Sequence, residues 1–165
     1  LVLSTSASLA RFADIDTLDA ARAATRPYRI ANVYHLFGHI TTERIEPELQ
    51  LRVDGVWAPA HLRFKPGAPE RRPPYVAPHQ PRLDFRLWFH GLSYKRGLPG
   101  YLQVLLRRVC QDPEAAQSFF AEPLPASPEA ARLLYYDYRY TSPGEEGWWR
   151  RELVDATRDI PCSAF

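Results

Sequence analysis

Few side chains in this chain have the types and spacing that chemistry needs. Ser93 and Ser142 stand in ordinary loop or turn contexts, without the strained GxSxG elbow that presents a hydrolase nucleophile. The eight glycines never reach the GxGxxG spacing or that of GxxxxGK followed by Ser or Thr, so no backbone loop is built to cradle a nucleotide phosphate. His35 and His39 would share a face on a helix. Their segment reads as a strand, where positions four apart lie about 13 Å apart along the backbone, too far to share an ion, so no metal site is expected. Cys110 and Cys162 have no CxxC partner for metal or redox work. Cys110 falls on the apolar side of a predicted helix and Cys162 in a tail expected to fray, so the two are expected to stay unbonded. No catalytic residue and no cofactor emerges.

The acidic candidates are Glu43, Glu46, Asp84, Asp137, Glu145 and Glu146, each expected to pair with an arginine at the surface. Asp84 and Arg86 flank Phe85, and Asp137 and Arg139 flank Tyr138. Charges set between large aromatic rings point to partly buried Arg–carboxylate bonds with a structural role. Six prolines lie between Pro66 and Pro81, which excludes a central strand or a helix there. The same segment carries Arg71, Arg72, Tyr75, His79, Gln80 and Arg82 where a flexible linker would carry Ser, Gly and Glu. It therefore reads as an ordered loop laid over the domain surface and held by Arg71, Arg72 or Arg82.

The elements that must position these residues follow from local pattern. Residues 1–25, rich in Ala with Thr17 as a cap, read as short helices in a connector, and residues 26–160 as a single domain. Residues 28–37 concentrate β-branched and aromatic side chains and predict a strand. Leu49, Leu51 and Val53 alternate with Glu48, Gln50 and Arg52, and Leu62 and Phe64 with His61, Arg63 and Lys65, on either side of Asp54-Gly55. That predicts a hairpin over 48–64, with the five apolar residues on the core face and the intervening ones in water. Leu83 to Leu92 fits either a strand of period two or a buried helix after Pro81, with the helix preferred. Pro99 opens an amphipathic helix bearing Leu102, Leu105, Leu106 and Val109, and Asp112-Pro113 caps a short one. Tyr136, Tyr138 and Tyr140 lie on a late strand, and Trp148-Trp149-Arg150-Arg151 is expected to start a final short helix. The fold class is α+β, a mainly antiparallel sheet packed with short helices from the second half.

Composition narrows the function classes. A net charge of +2 is too small for a protein that works by neutralising many phosphates, so a nucleic-acid partner is excluded. Basic residues number 21, and only Lys65 and Lys95 are lysines, a skew that fits a GC-rich genome better than an Arg surface selected for bidentate contacts with carboxylates or phosphates. No run approaches the roughly 18 apolar residues of a membrane-spanning helix. The chain contains no Met and opens Leu1-Val2-Leu3-Ser4, which reads as a start inside a longer frame.

Several segments together resemble one family. They are Asn32-Val33-Tyr34-His35-Leu36-Phe37 with Thr41-Thr42-Glu43-Arg44, Phe64-Lys65-Pro66-Gly67, Arg71-Arg72-Pro73-Pro74, Pro78-His79-Gln80-Pro81-Arg82-Leu83-Asp84, Trp88-Phe89, Tyr136-Asp137-Tyr138-Arg139-Tyr140-Thr141 and Trp148-Trp149-Arg150-Arg151. From about Tyr28 to Leu153 the chain is similar to the carboxy-terminal domain of the lipase maturation factor family. Phe85 stands where Trp is usual, and residues between Gly91 and Pro99 depart from the usual pattern. The resemblance implies a multi-pass membrane parent, in the endoplasmic reticulum of a eukaryote or the cell membrane of a bacterium. This domain would be lumenal or extracytoplasmic, with residues 1–25 leaving the last span.

The same resemblance implies a lipase-like client protein as partner. The first reading is then a non-enzymatic folding factor that grips an immature client through Arg71, Arg72, Tyr75, His79, Gln80, Arg82, Asp84, Trp148 and Trp149. The second is a regulatory or substrate-binding domain of a membrane enzyme, in which Arg71, Arg72, His79, Arg82 and Asp84 bind an anionic substrate and His79 serves as acid or base.

Overall fold

The hairpin forms as its turn demands. In the computed structural model, which describes residues 41–76 and 81–165, β1 (Ile45–Val53) and β2 (Val56–Ala60) pair antiparallel with Val53 opposite Val56. The two linking residues, Asp54 and Gly55, have φ of 50° and 77°. A two-residue turn of this hand matches strand twist and selects an Asp-Gly pair. The connector over 1–25, the strand over 28–37, and His35, His39, His79 and Gln80 lie outside the described residues.

Leu49 and Leu51 are buried as expected, whereas Val53, at the hairpin tip, is only half-buried. The second strand ends earlier than the alternation suggested. Ala60 is its last residue; Leu62 leaves the hairpin to bridge Phe120 and enters the core from there, and Phe64 is half-buried outside it.

Between residues 82 and 116 the chain forms α1 (Arg82–Gly91), α2 (Gly100–Gln111) and α3 (Pro113–Ala116). Leu102, Leu105, Leu106 and Val109 are the buried residues of α2, the stripe read from spacing. Asp112 Oδ1 accepts the Ala115 N–H at 3.2 Å, with Pro113 behind it as the first helical residue. The chain then returns as β3 (Ala130–Tyr140), β4 (Trp149–Ala156) and the two-residue β5 (Ile160–Pro161). All pairings are antiparallel, in the order β2-β1-β3-β4, with β5 beside the start of β3. The class is α+β with an antiparallel sheet, as the sequence indicated.

Register explains the core. Leu49 faces Leu133 and Leu51 faces Ala131, so one face of the sheet presents Ile45, Leu49, Leu51, Ala131, Leu133 and Tyr135 to Leu87, Leu102, Leu106 and Val109 of the helices. The approach is tight at Gly91, where a Cβ would sit 1.9 Å from the Ile45 carbonyl oxygen. Only glycine lets α1 approach the strand this closely.

Two expectations are corrected. The run expected to start a helix at Trp148 instead enters β4 at Trp149: Trp149, Arg151 and Leu153 pair opposite Tyr140, Tyr138 and Tyr136, and a ladder of backbone bonds outweighs the weak helical preference of the Arg-Arg-Glu run. Cys110 and Cys162 form a disulfide, with Cα atoms 5.2 Å apart. The tail does not fray, because β5 pairs with β3, the Cys162 N–H donates to the Glu129 carbonyl at 2.8 Å, and the Gln111 side chain donates to the Phe165 carbonyl at 2.7 Å.

Two substitutions test this architecture. Gly91→Ala should cost at least about 2 kcal/mol by forcing α1 off β1. Cys110→Ala with Cys162→Ala should cost about 2–4 kcal/mol, because the bridge closes a loop of 52 residues. Denaturant unfolding under oxidising conditions measures both; wild-type midpoints would contradict the close approach and the docked tail.

Candidate functional site

Alternation along β1 places Glu46 and Glu48 on the face away from the helices, where the pattern put Glu48 in water. Both are buried, exposed by only 2% and 6%. Their cover is the first part of the proline-rich loop, whose Lys65, Pro66 and Gly67 are buried against this second face. The sheet is therefore covered on both sides near the N-terminal end of β1, and the carboxylates there must be compensated.

Compensation comes from four directions. Lys65 forms an ion pair with Glu46 and donates to the Asp84 carbonyl at 3.3 Å. Arg44 Nε donates to Glu46 Oε1 at 2.9 Å. Arg151 Nη1, reaching across from β4, donates to Glu48 Oε2 at 2.5 Å, to the Tyr138 hydroxyl at 3.1 Å and to the Gly67 carbonyl at 3.3 Å. Tyr138 in turn donates to the Gly67 carbonyl at 2.6 Å, and His61 Nε2 lies 3.5 Å from Glu48 Oε2.

Burial alone would raise the Glu48 pKa, but the adjacent His61 ring and the charge of Arg151 outweigh it and hold the group below its ordinary value of 4.5. Burial lowers Lys65 despite Glu46, raises Asp84 despite Lys65, and pushes the Tyr138 phenol up to about 12. For Arg151, burial is overcome by Tyr138 and Glu48, and the pKa rises.

The space enclosed by Glu46, Glu48, His61, Lys65 and Tyr138 is about 10 Å³, room for one water at most and none for a substrate. Its chemistry is structural: it fastens the loop to the sheet. Among the described residues, no three His, Cys, Asp or Glu side chains converge as metal ligands would.

Beyond Gly67 the loop continues to be fastened, now through Arg71 as anticipated. Its guanidinium donates to the carbonyls of Leu62 at 3.0 Å and Arg63 at 2.6 Å. The Arg71 carbonyl accepts from Trp149 Nε1 at 2.8 Å, and the Pro69 carbonyl accepts the N–H groups of Trp148 and Trp149 at 2.9 and 3.1 Å. Trp149 is buried, with Tyr140 stacked on it at 4.5 Å and Arg44 over it at 5.1 Å. Trp148 is exposed, and the Arg72 guanidinium lies over its ring at 5.6 Å. Loop and β4 thus present an Arg72–Trp148 ledge on a fixed base.

The other nominated residues divide by exposure. Tyr75 is exposed farther along the loop, Arg82 is exposed at the start of α1, and Asp84 is buried near Lys65, with its Oδ1 lacking a hydrogen-bond partner among the described residues. Asp137 bonds Arg139 as expected and also accepts the Arg44 N–H. Sequence reasoning missed Glu48, Lys65 and Arg151 as a unit. One signal was present: Lys65, one of only two lysines, sits between Phe64 and Pro66, an apolar setting that calls for a partner.

Three comparisons bear on this arrangement. The lipase maturation factor C-terminal domain family matches residues 30–159. The chain is 35% identical over 145 residues to lipase maturation factor 2 of Homo sapiens, covering 80% of this chain and 20% of that protein. It is 30% identical over 142 residues to lipase maturation factor 1 of Bos taurus, covering 78% and 25% respectively. The chain thus spans a fifth to a quarter of the length of these curated relatives. No solved structure matches it.

A pH experiment tests the network. A carboxyl whose folded pKa is depressed contributes stability above its unfolded value and loses it as pH falls through the folded one. Wild-type stability should therefore decline as pH drops below about 4.5. Glu48→Gln should cost about 3 kcal/mol at pH 7 by stranding Arg151, and its deficit should shrink on acidification. Urea unfolding at several pH values reads this; a deficit independent of pH would rule out the ionic role of Glu48.

Proposed function

Since the chain belongs to the lipase maturation factor C-terminal domain family, we propose that it assists the maturation of a lipase or another exported client by holding the client, without performing catalysis. The parent protein sits in a membrane, that of the endoplasmic reticulum in a eukaryote or the cell membrane in a bacterium. This domain lies on its lumenal or extracytoplasmic side. The Cys110–Cys162 disulfide supports that side, because such bridges persist in oxidising compartments. No helix among the described residues is long and apolar enough to cross a membrane.

The observation that carries this reading is the ledge. Tryptophan, tyrosine and arginine are the residues that anchor protein interfaces. Here Trp148 is 44% exposed under Arg72, with Tyr140 at 62% and Tyr75 at 85%. The backbone that carries Trp148 is already bonded to Pro69, and a preordered surface loses less entropy on binding than a mobile one.

Arg72→Ala with Trp148→Ala, placed in the full-length protein and assayed by the activity of the secreted lipase, should reduce client maturation about tenfold or more. The melting temperature of the domain should not change, because both side chains lie at the surface. A loss of maturation that only tracks a fall in melting temperature would reduce the ledge to scaffolding.

A further inference from the structure

Residues 82–101 form a face apart from the Arg72–Trp148 ledge. Outward from α1 run Phe85, Phe89 and Leu92, exposed by 41%, 44% and 45%, with the two phenylalanine rings 4.9 Å apart. Spacings of four and three put them in one stripe. Arg82 and Arg86, also four apart, run alongside it, and Lys95 and Arg96 follow in the connection to α2; all four are exposed. The stretch contains a single acid, Asp84, and it is buried. Among the described residues no ion pair involves Arg86, Lys95 or Arg96.

Between the end of α1 and the start of α2 a cleft of about 380 Å³ opens, lined by Arg86, Phe89, His90, Arg96 and Tyr101 among others. Its floor is rigid. His90 is buried with Nε2 2.9 Å from the Tyr135 hydroxyl, and Arg86 lies 4.2 Å over the Tyr101 ring, whose hydroxyl donates to the Arg86 carbonyl.

An exposed aromatic stripe with the exposed cations Arg82, Arg86, Lys95 and Arg96 in the same stretch is complementary to a surface that is anionic outside and apolar beneath. Phenylalanine and leucine side chains enter the headgroup boundary, while arginine and lysine extend along it to reach phosphates. We propose that this face docks on a membrane surface containing anionic phospholipid, with Phe85, Phe89 and Leu92 entering the headgroup layer and a lipid phosphate seated in the cleft under Arg86 and Arg96. The docking residues are distinct from Arg72 and Trp148, so the two proposals can fail separately.

Co-sedimentation of the 165-residue chain with vesicles tests it, comparing phosphatidylcholine alone with phosphatidylcholine containing phosphatidylglycerol. Wild type should bind the mixed vesicles and not the neutral ones. Arg86→Glu with Arg96→Glu, and separately Phe85→Ser with Phe89→Ser, should each weaken partitioning by roughly tenfold or more. Arg107→Glu with Arg108→Glu, the same charge reversal at residues that do not line the cleft, should leave binding within about twofold of wild type. Melting curves identify any variant that fails to fold; if the serine pair does, the glutamate pair and the salt dependence of binding decide. Equal binding to both vesicles, no binding, or survival in a folded cleft variant would overturn the proposal. So would binding of inorganic phosphate without vesicle binding, which would make the cleft a soluble-anion site, or self-association abolished by the serine pair, which would make the face a contact between copies.

Discussion

The ionic contact between the second face of the sheet and the proline-rich loop is the constraint from which the rest of the arrangement follows. Glu46 and Glu48 point away from the apolar core, and in an ordinary antiparallel sheet that face would be wet. Here Lys65 and Arg151 meet them from opposite sides, one from the loop and one from β4, and the Gly67 carbonyl is bonded to both Tyr138 and Arg151. The loop is thereby fixed at its start, and Arg71 fixes it again four residues on. Trp148 holds its place because Pro69 and Arg71 do. A ledge built on a segment without regular secondary structure becomes rigid because the polar layer beneath it is bonded to the sheet.

Such a layer is costly to bury and specific once buried. Lys65 and Asp84 are both shifted toward their neutral forms by burial, so part of the network sits uneasily in a dry environment. Glu48 is shifted the other way because Arg151 and His61 reach it directly. Replacement of the whole set by well-packed apolar residues could match its stability, but it would no longer distinguish one placement of the loop from another. That placement decides where Trp148 and Arg72 stand.

What was legible in the sequence was local. Asp54-Gly55 turns the hairpin because the turn is a two-residue affair, and the stripe of α2 and the Asp112 cap appear where spacing put them. The misread elements depend on distant partners. Trp149 to Leu153 becomes a strand because Tyr136, Tyr138 and Tyr140 offer an edge to pair with. The disulfide forms because β5 and two hydrogen bonds dock a tail whose composition suggested fraying. Period two correctly sent Glu48 to the face opposite Leu49, yet it contained nothing about a loop arriving to cover that face. Of the nominated surface residues, Arg72 and Trp148 meet while Asp84 is enclosed, a division that depends on the same covering.

The strand order has a consequence for how the chain reaches this state during synthesis. β1 ends up in the interior of the sheet, between β2 and β3, but β3 lies beyond α1, α2 and α3 in sequence. For as long as the ribosome is making the intervening segment, the β1–β2 hairpin carries an open edge with Ile45, Leu49 and Leu51 beside it, the kind of edge that recruits other nascent strands. Glu46 and Glu48 alternate with those residues along that edge. Before β3 and the loop arrive they are solvated charges that oppose wrong pairing, as gatekeeper residues do. The same two carboxylates that would keep an uncovered hairpin soluble become, once Lys65 and Arg151 close over them, the anchors of a finished surface.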